Sequence, residues 1–332
     1  MATMENNHVS KWFDVQSVPQ SHTYSIDLRP GNDPIPTCNK IPIIDLQRDD
    51  EAVQQIIEAS QEYGLFLVIN HGVSEDVIEE TAQVMEELFG LPQEELSKDA
   101  KETGWVYFCS TNFVVAGAYL WRDNIKHTCH PLKDCVQRWP RHPIRYRDVV
   151  EAYVKNIERL SLKILEMICQ GLGLEKDHLG SMSEVKFLSA NNYPPCPDPS
   201  LALGVIKHHD HNLITILYQG NIEGLQIMKD GEWIGVEAPP NSFVVNIGSQ
   251  LQIISNGKLK SIEHRAVPNL DQKRITIATF VNPKPESVIE PAKILVNKNN
   301  PARYSSTSFK DFVDATKPFG PYTHVLQNDE KH

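Results

Sequence analysis

Residues 213–248 form the stretch LITILYQGNIEGLQIMKDGEWIGVEAPPNSFVVNIG, a series of short β-branched runs separated by turn residues. Asp230-Gly231 between two runs is a hairpin signal, because glycine readily adopts the positive φ that tight turns need. Similar runs flank the stretch, namely VKFLS, LQIIS, KSIEHRAV and RITIATFV, and Asn256-Gly257 is a second turn signal. About eight closely spaced strands without intervening helices predict a two-sheet jelly roll rather than a parallel sheet.

Towards the amino terminus, the apolar residues change to helical spacing. Helices are predicted at 49–64, 74–90 and 147–170, short strands at 41–45 and 65–72, and an extended surface arm over 1–40. We therefore expect an α+β protein. Residues 184–332 would form the catalytic core, a double-stranded β-helix or jelly roll. Residues 1–183 would form an α/β region whose helices pack on one sheet.

The composition is that of an ordinary globular protein, with 332 residues, 40% hydrophobic and 23% charged. A formal net charge of −11 disfavours a nucleic-acid partner, because phosphate binding requires clustered Lys and Arg. We expect no membrane partner, since no apolar run approaches the roughly 20 residues of a membrane span. The six cysteines are scattered and form no CxxC pair, which predicts reduced thiols. These features together indicate a soluble, cytoplasmic monomer that acts on a small molecule.

The segment KHHDHN stands immediately before the opening stretch and is rich in potential metal ligands. If it is extended, His208 and Asp210 point to one side and His209 and His211 to the other. The first pair, with His264 from KSIEHRAV, would give the two-histidine, one-carboxylate triad of non-haem Fe(II) oxygenases. The second pair would give an all-histidine site better suited to zinc or copper. The spacing alone leaves both sets open.

A possible carboxylate clamp follows His264 in the segment QKRITIATFVNP. Arg274 and Thr276 stand two residues apart and so share one face of a strand. A guanidinium binds a carboxylate with two parallel hydrogen bonds, and the neighbouring hydroxyl adds one more donor. Beside a triad of metal ligands, this pair could hold a co-substrate carboxylate at a fixed distance.

These motifs extend along nearly the whole chain, as IPIIDL, FLVINHG, WRDNIKHTCHP, NNYPPCPDP, HHDHNLITIL, GLQI, EHRAV and RITIATF. With them the sequence resembles the plant family of soluble 2-oxoglutarate- and Fe(II)-dependent dioxygenases. That group includes hyoscyamine, flavonoid and salicylate hydroxylases and has an isopenicillin N synthase-like fold.

The resemblance implies iron ligands and co-substrate contacts. The iron ligands would be His208, Asp210 and His264, and the contacts with 2-oxoglutarate would be Arg274, Thr276, Tyr193 and Asn191. It also implies a reaction in which 2-oxoglutarate and O2 become succinate and CO2, with ascorbate as reductant. The substrate, a small plant specialised metabolite, would be hydroxylated, desaturated or cyclised.

The chain departs from the family pattern at three positions. His209 replaces the usual threonine between the first two ligands, Thr276 replaces a serine, and Asn192 replaces a tyrosine. His209 and Asn192 are expected to point away from the iron and the co-substrate, and threonine keeps the hydroxyl. None of these changes removes a ligand, so the resemblance still implies catalytic competence.

Two other functions fit part of this pattern. A zinc-dependent hydrolase could use the same three ligands with an activated water, but it needs a general base nearby and has no use for Arg274 with Thr276. A non-catalytic jelly-roll binding protein would be favoured if any of these residues had been replaced. All of them are present, which favours the oxygenase.

Candidate substrate-lining residues lie in the variable stretch WVYFCSTNF, in the WRD strand and after the R-x-T motif. They are Tyr107, Phe108, Phe113, Lys126 and Phe280. Between Thr103 and Arg122 the chain has no carboxylate, so an ammonium group bound there would lose its hydration without compensation. We therefore expect a neutral or acidic aromatic or polycyclic substrate whose anionic or hydroxyl group approaches Lys126. The alternative is that Lys126 extends into solvent.

Overall fold

The computed structural model describes residues 15–32, 35–36, 41–110 and 114–316. Within this part of the chain there are seven α-helices: α1 (Asp49–Glu62), α2 (Glu75–Gly90), α3 (Gln93–Thr103), α4 (Leu132–Cys135), α5 (Tyr146–Leu172), α6 (Ser249–Ile254) and α7 (Phe309–Thr316). The strands are β1 (Ile43–Asp45), β2 (Leu65–Ile69), β3 (Val106–Phe108), β4 (Val114–Val115), β5 (Ala118–Tyr119), β6 (Asp123–Thr128), β7 (Val185–Tyr193), β8 (Val205–His208), β9 (Ile214–Tyr218), β10 (Leu225–Lys229), β11 (Glu232–Gly235), β12 (Phe243–Ile247), β13 (His264–Ala266), β14 (Arg274–Asn282), β15 (Val288–Ile289) and β16 (Thr307–Ser308).

Two sheets form the core. The major sheet has eight strands in the order β1-β2-β12-β9-β14-β7-β6-β3, and the minor sheet has four in the order β11-β10-β13-β8. β1 is parallel to β2, whereas the other pairs in both sheets are antiparallel. This is the jelly-roll core with an α+β composition that the strand spacing predicted. The major sheet contains strands from both sides of residue 184, so the division at 183/184 stays a prediction.

Helices α1, α2 and α5 cover the outer face of the major sheet. α1 and α2 both pack on α5, and α2 and α5 contact strands of the sheet. Side chains such as Ile157, Ile164 and Ile168 of α5 are buried there, in one apolar cluster with Ile216 and Ile277 of the sheet. The three predicted helices are therefore present, and their apolar stripes face the sheet as expected.

The opposite face of the major sheet faces the minor sheet. At one end the space between the sheets is filled by an apolar cluster that includes Leu65, Leu67, Ile227 and Val244. At the other end the facing side chains are polar or aromatic and surround a cavity. Because side chains alternate along each strand, one face of β7, β9 and β14 supplies the core and the other supplies the cavity.

One predicted strand is a helix. The first four residues of the segment LQIIS lie in α6, which interrupts the series of strands expected to be continuous. Its β-branched residues favour a strand, but Leu251 and Ile254, three positions apart, are both buried on the same side of a helix. Main-chain contacts with the KHHDHN segment also satisfy the first amides of this helix, so tertiary structure overrides the local preference.

Within the amino-terminal arm, the structure describes residues 15–32 and 35–36. His22 and Tyr24 are buried, and Tyr24 packs with Ala118, Leu120 and Leu203 near the cavity. The arm is therefore attached to the jelly roll through buried side chains. The five cysteines in the described part of the chain are buried and form no disulfide with one another, and Cys38 lies outside it. None of the described helices combines the length and the apolar character needed to cross a bilayer.

Candidate metal centre and active site

Two histidines lie side by side on adjacent strands of the minor sheet. His208 is the last residue of β8 and His264 is the first of β13, and they are direct partners in the antiparallel register. Their ring centroids are 4.1 Å apart. The strand pairing therefore brings together two residues that are far apart in the sequence.

Asp210 lies in the turn after β8 and completes this group. Its Oδ1 is 3.7 Å from His208 Nε2, and its Oδ2 is 3.8 Å from His264 Nε2. One donor atom from each residue lies within 4.8 Å of the others. The spacing left two ligand sets open, and the structure brings together His208, Asp210 and His264. His209 instead contacts the carbonyl of Ser261 through Nδ1 at 3.0 Å.

Hydrogen bonds orient the three donor groups. His208 Nδ1 lies 2.9 Å from the carbonyl of Ile206, and His264 Nδ1 lies 3.1 Å from that of Ile262. Since a carbonyl can only accept, each Nδ1 carries the proton and each Nε2 keeps its lone pair for a metal. Thr215 Oγ1 donates to Asp210 Oδ2 at 2.7 Å. This oxygen- and nitrogen-donor set, limited to three ligands, fits Fe(II) with positions left open.

The pKa values agree with that state of the ligands. Burial, with a smaller effect of the neighbouring His264, lowers the pKa of His208 to about 3, so its ring is neutral at physiological pH. Burial raises the pKa of Asp210, but the two histidines and the hydrogen bond from Thr215 outweigh it and leave the pKa below its usual value. Both groups are therefore in the form that binds a cation.

Arg274 is a buried cation at the start of β14. Its Nε donates to the carbonyl of Ile222 at 2.9 Å, and its guanidinium lies 5.2 Å from the ring centroid of Tyr193. Nη1 is buried and has no hydrogen-bond partner among the described residues. Burying an unsatisfied guanidinium nitrogen is costly. The arrangement therefore fits a ligand carboxylate that would supply the missing acceptor.

The neighbouring side chains form a polar network on the same face. In the register of β14 with β7, Arg274 pairs with Tyr193 and Thr276 pairs with Asn191. Asn191 Nδ2 donates to Thr276 Oγ1 at 3.1 Å, and Arg122 Nη1 donates to Asn191 Oδ1 at 2.6 Å. All four residues predicted to contact the co-substrate therefore lie side by side along two adjacent strands.

A cavity of about 650 Å³ contains these groups. The metal-ligand group, Arg274, Thr276, Asn191 and Tyr193 line it, as do Phe108, Lys126 and Phe280 from the predicted substrate set. Tyr107 is not in its lining, because strand alternation turns it towards the core on the other face of β3. Phe113 lies outside the described residues. A volume of this size suits a small molecule.

Several residues that line the cavity were not predicted from the sequence. Arg122 lies four positions before Lys126, so the same alternation that selected Lys126 could have selected it. Phe187 stacks on Phe280 with centroids 4.7 Å apart and planes 17° apart. It shares a face of β7 with Asn191, so strand alternation could have selected it too. Phe309 and Val313 of α7 also line the cavity, and no local pattern placed them there.

Two protein-family models match the chain. The model of the 2OG-Fe(II) oxygenase superfamily matches residues 185–283. The model described as non-haem dioxygenase in morphine synthesis, N-terminal, matches residues 41–145. The chain belongs to the 2OG-Fe(II) oxygenase superfamily. It is an oxidoreductase that depends on Fe(II) and 2-oxoglutarate, as the motifs predicted.

Individual relatives agree with this membership. Hyoscyamine 6-dioxygenase from Hyoscyamus niger is 40% identical over 323 residues, which cover 92% of this chain and 93% of that protein. Flavonol synthase/flavanone 3-hydroxylase from Petunia hybrida is 38% identical over 82% of both chains. The crystal structure of JOX2 in complex with 2OG, Fe and JA superposes with a TM-score of 0.81 and 32% identity. That match covers 95% of this chain and 94% of JOX2.

Proposed function

We propose that His208, Asp210 and His264 hold the Fe(II) of this oxygenase. The observation that carries the proposal is the convergence of their three donor atoms within 4.8 Å, with both Nε2 lone pairs directed away from their own backbone contacts. The site would leave the remaining coordination positions for 2-oxoglutarate and O2. When bound, Fe(II) and 2-oxoglutarate supply the oxidising chemistry, which consumes O2, releases succinate and CO2 and oxidises the substrate.

The residues of the clamp would fix the far end of 2-oxoglutarate. Arg274 would bind its distal carboxylate through the unpartnered Nη1, and the Thr276 hydroxyl would donate a second hydrogen bond. Asn191 would hold Thr276 in position, and the ring of Tyr193 would pack against the guanidinium. Such fixation keeps the reactive end of the co-substrate beside the metal and lowers the entropic cost of reaction.

The substrate would be a small plant specialised metabolite, which the names of the relatives support. It would occupy the part of the cavity between the metal ligands and the Phe187–Phe280 stack. Hydrolysis by zinc is the second candidate, but Asp210 is the sole carboxylate among the described residues of the cavity lining. With that group at the metal, no separate carboxylate serves as a general base.

The experiment is 2-oxoglutarate turnover with added Fe(II), measured as succinate formation with a panel of plant metabolites. Succinate should form with Fe(II) and not with Zn(II). His208→Ala, Asp210→Ala and His264→Ala should each abolish succinate formation and bound iron while the circular dichroism spectrum stays unchanged. Normal turnover with a full iron content in any of the three would contradict the assignment. Hydrolysis supported by Zn(II) without 2-oxoglutarate would favour the second candidate.

We also propose that the protein acts as a cytoplasmic monomer, with a catalytic core that begins near residue 184. The proposed contacts with iron and 2-oxoglutarate all come from one chain, so the site needs no residue of a second subunit. The five described cysteines form no disulfide with one another, which suits a reducing compartment. Light scattering coupled to size-exclusion chromatography tests the oligomeric state, and a mass of twice the chain would contradict it.

A further inference from the structure

Two positive side chains enter the cavity from β6 and the residue before it. Arg122, Asn124 and Lys126 lie at alternate positions, so they share the face of the major sheet that lines the cavity. Lys126 pairs with Ser189 of β7, which lies between Asn191 and Phe187 on the same face of that strand. The two cations therefore flank the region left for the substrate.

Neither cation is neutralised by a described residue. Arg122 Nη1 donates to the neutral amide of Asn191, and Lys126 Nζ lies 3.7 Å from the ring centroid of Phe187. In the described part of the chain, no carboxylate forms an ion pair with either side chain. Burial, and then the nearby charge of Arg122, lowers the pKa of Lys126. Two like charges that face the same partly buried cavity raise each other's energy unless an anion binds between them.

Iron, 2-oxoglutarate and their protein contacts do not supply that anion. If the proposed function is correct, the two positive charges of Fe(II) and that of Arg274 balance the two negative charges of 2-oxoglutarate and that of Asp210. Arg265 also borders the cavity, but strand alternation directs its side chain to the face of β13 opposite His264. There its guanidinium stacks 4.1 Å from the ring centroid of Trp233 and its Nε donates to Gln226 at 2.8 Å. Arg122 and Lys126 therefore remain as an unmatched pair of charges.

We infer that the substrate is a small-molecule carboxylate whose anionic group binds between Lys126 and Arg122. This inference rests on the proposed function and specifies the substrate class of the same site. A guanidinium offers paired donors to a planar carboxylate, and the ammonium adds a point charge. The apolar body of the substrate then lies along Phe187 and Phe280, whose stacked rings form an aromatic wall. An amine would meet two like charges, and the described lining offers it no carboxylate apart from the metal ligand Asp210.

The test measures ligand binding without turnover. The protein loaded with Fe(II) and 2-oxoglutarate is kept free of O2 and dialysed to equilibrium against benzoate, cinnamate and naphthoate, each compared with its methyl ester and its amine counterpart. At least one acid should be retained more tightly than its ester and its amine. Lys126→Met should weaken that binding by about tenfold or more, as expected for loss of a charge-assisted contact. Lys126→Arg should preserve the preference for the acid.

Two controls separate the possible failures. Lys133→Met removes an exposed lysine outside the cavity lining and should bind the acid as the parent does. Retention of 2-oxoglutarate by the parent is measured in the same dialysis, and its absence would contradict the proposed function. If the parent retains 2-oxoglutarate but no acid binds more tightly than its ester, the carboxylate inference is wrong. The same conclusion holds if Lys126→Met releases 2-oxoglutarate and leaves acid binding unchanged.

Discussion

Arg274 is the residue whose environment most directly requires a ligand. Its side chain is 2% exposed, yet Nη1 has no partner among the described residues. Burial lowers the pKa of the guanidinium, and the adjacent Tyr193 opposes that shift. A charge held in this state destabilises the folded protein unless an anion compensates it. The fold thus positions the Arg274 guanidinium to bind an anion, and this lowers the stability of the protein without that anion.

Removing the charge of Arg274 should primarily weaken binding of the co-substrate 2-oxoglutarate. Arg274→Ala should raise the KM for 2-oxoglutarate by the equivalent of about 2–5 kcal/mol, the usual effect of truncating one member of a buried charged pair. Arg274→Lys should have an intermediate effect, because an ammonium lacks the paired donors. Steady-state succinate formation measures both. Lys273→Ala is the control, since Lys273 pairs with Glu86 at 2.5 Å. An unchanged KM in Arg274→Ala would remove Arg274 from the co-substrate site.

His209 distinguishes the two sets of ligands that the spacing left open. Its Nδ1 contacts the carbonyl of Ser261 rather than the metal-ligand group. His209→Thr should therefore retain iron with an affinity close to that of the parent, because no ligand is lost. Anaerobic iron titration compares it with His208→Ala in the same segment. A loss of iron in His209→Thr as large as in His208→Ala would show that the opposite face of the segment binds the metal.

Helix α6 supports the metal-binding segment through main-chain hydrogen bonds. The amide of Ser249 donates to the carbonyl of Asp210 at 2.8 Å, and that of Gln250 donates to Asn212 at 3.1 Å. Asn212 Nδ2 in turn donates to Thr215 Oγ1 at 2.8 Å, and Thr215 holds the Asp210 carboxylate. The position of one metal ligand therefore depends on how closely the turn approaches the start of this helix.

Gly248, just before α6, permits that approach. A Cβ at this position would overlap the carbonyl oxygen of Asn212, which is backbone and cannot move alone. Gly248→Ala should displace the turn, reduce iron affinity by about tenfold and lower the free energy of unfolding by about 1–3 kcal/mol, as overpacking commonly does. Gly90→Ala is the matched control, because a Cβ there meets nothing within 4 Å. Wild-type iron affinity in Gly248→Ala would show that the turn tolerates the shift.

Periodicity predicted most elements, and where the period was clear it also predicted their faces. The helical stripe of α5 placed its core face, and the alternation of β14 placed a core face and a site face. The segment LQIIS was assigned wrongly, because its helix is stabilised by contacts with Asp210 and Asn212 that no local window contains. Tyr107 and Phe108 were both selected as aromatic, and only the register of β3 on β6 separates them. Distinguishing such neighbours requires knowledge of the strand pairing.

For the whole molecule, the site is assembled from segments that the two sheets bring together. Arg122 precedes β6, Asn191 lies in β7, His208 ends β8, His264 begins β13 and Arg274 begins β14. Each residue type could be selected from the sequence, but the distances between them depend on the strand order. Residue spacing alone therefore left two metal sites open. The unmatched charges of Arg122 and Lys126 became apparent only when the cavity showed which carboxylates were absent from its described lining.

Buried histidines give the folded protein a defined pH dependence. His127 is 5% exposed, and its Nε2 lies 2.8 Å from the hydroxyl of Tyr146. Burial lowers its pKa to about 4, and burial lowers the pKa of His22 to the same value. An unfolded histidine takes up a proton near pH 6.5, whereas these two stay neutral in the fold until about pH 4. The unfolded state therefore binds more protons throughout this window, and stability falls as the pH falls.

The contribution of His127 can be isolated by substitution. Between pH 6.5 and 4, one such histidine reduces the free energy of unfolding by about 3 kcal/mol in total, because each pH unit contributes at most about 1.4 kcal/mol. His127→Gln retains a hydrogen-bonding group and cannot titrate, so urea unfolding of the metal-free protein should show a shallower decline with falling pH. His178→Gln, at a partly exposed histidine, should keep the steeper parental decline. Equal slopes for the parent and His127→Gln would mean that His127 takes up its proton in the folded state near the pH of a free histidine.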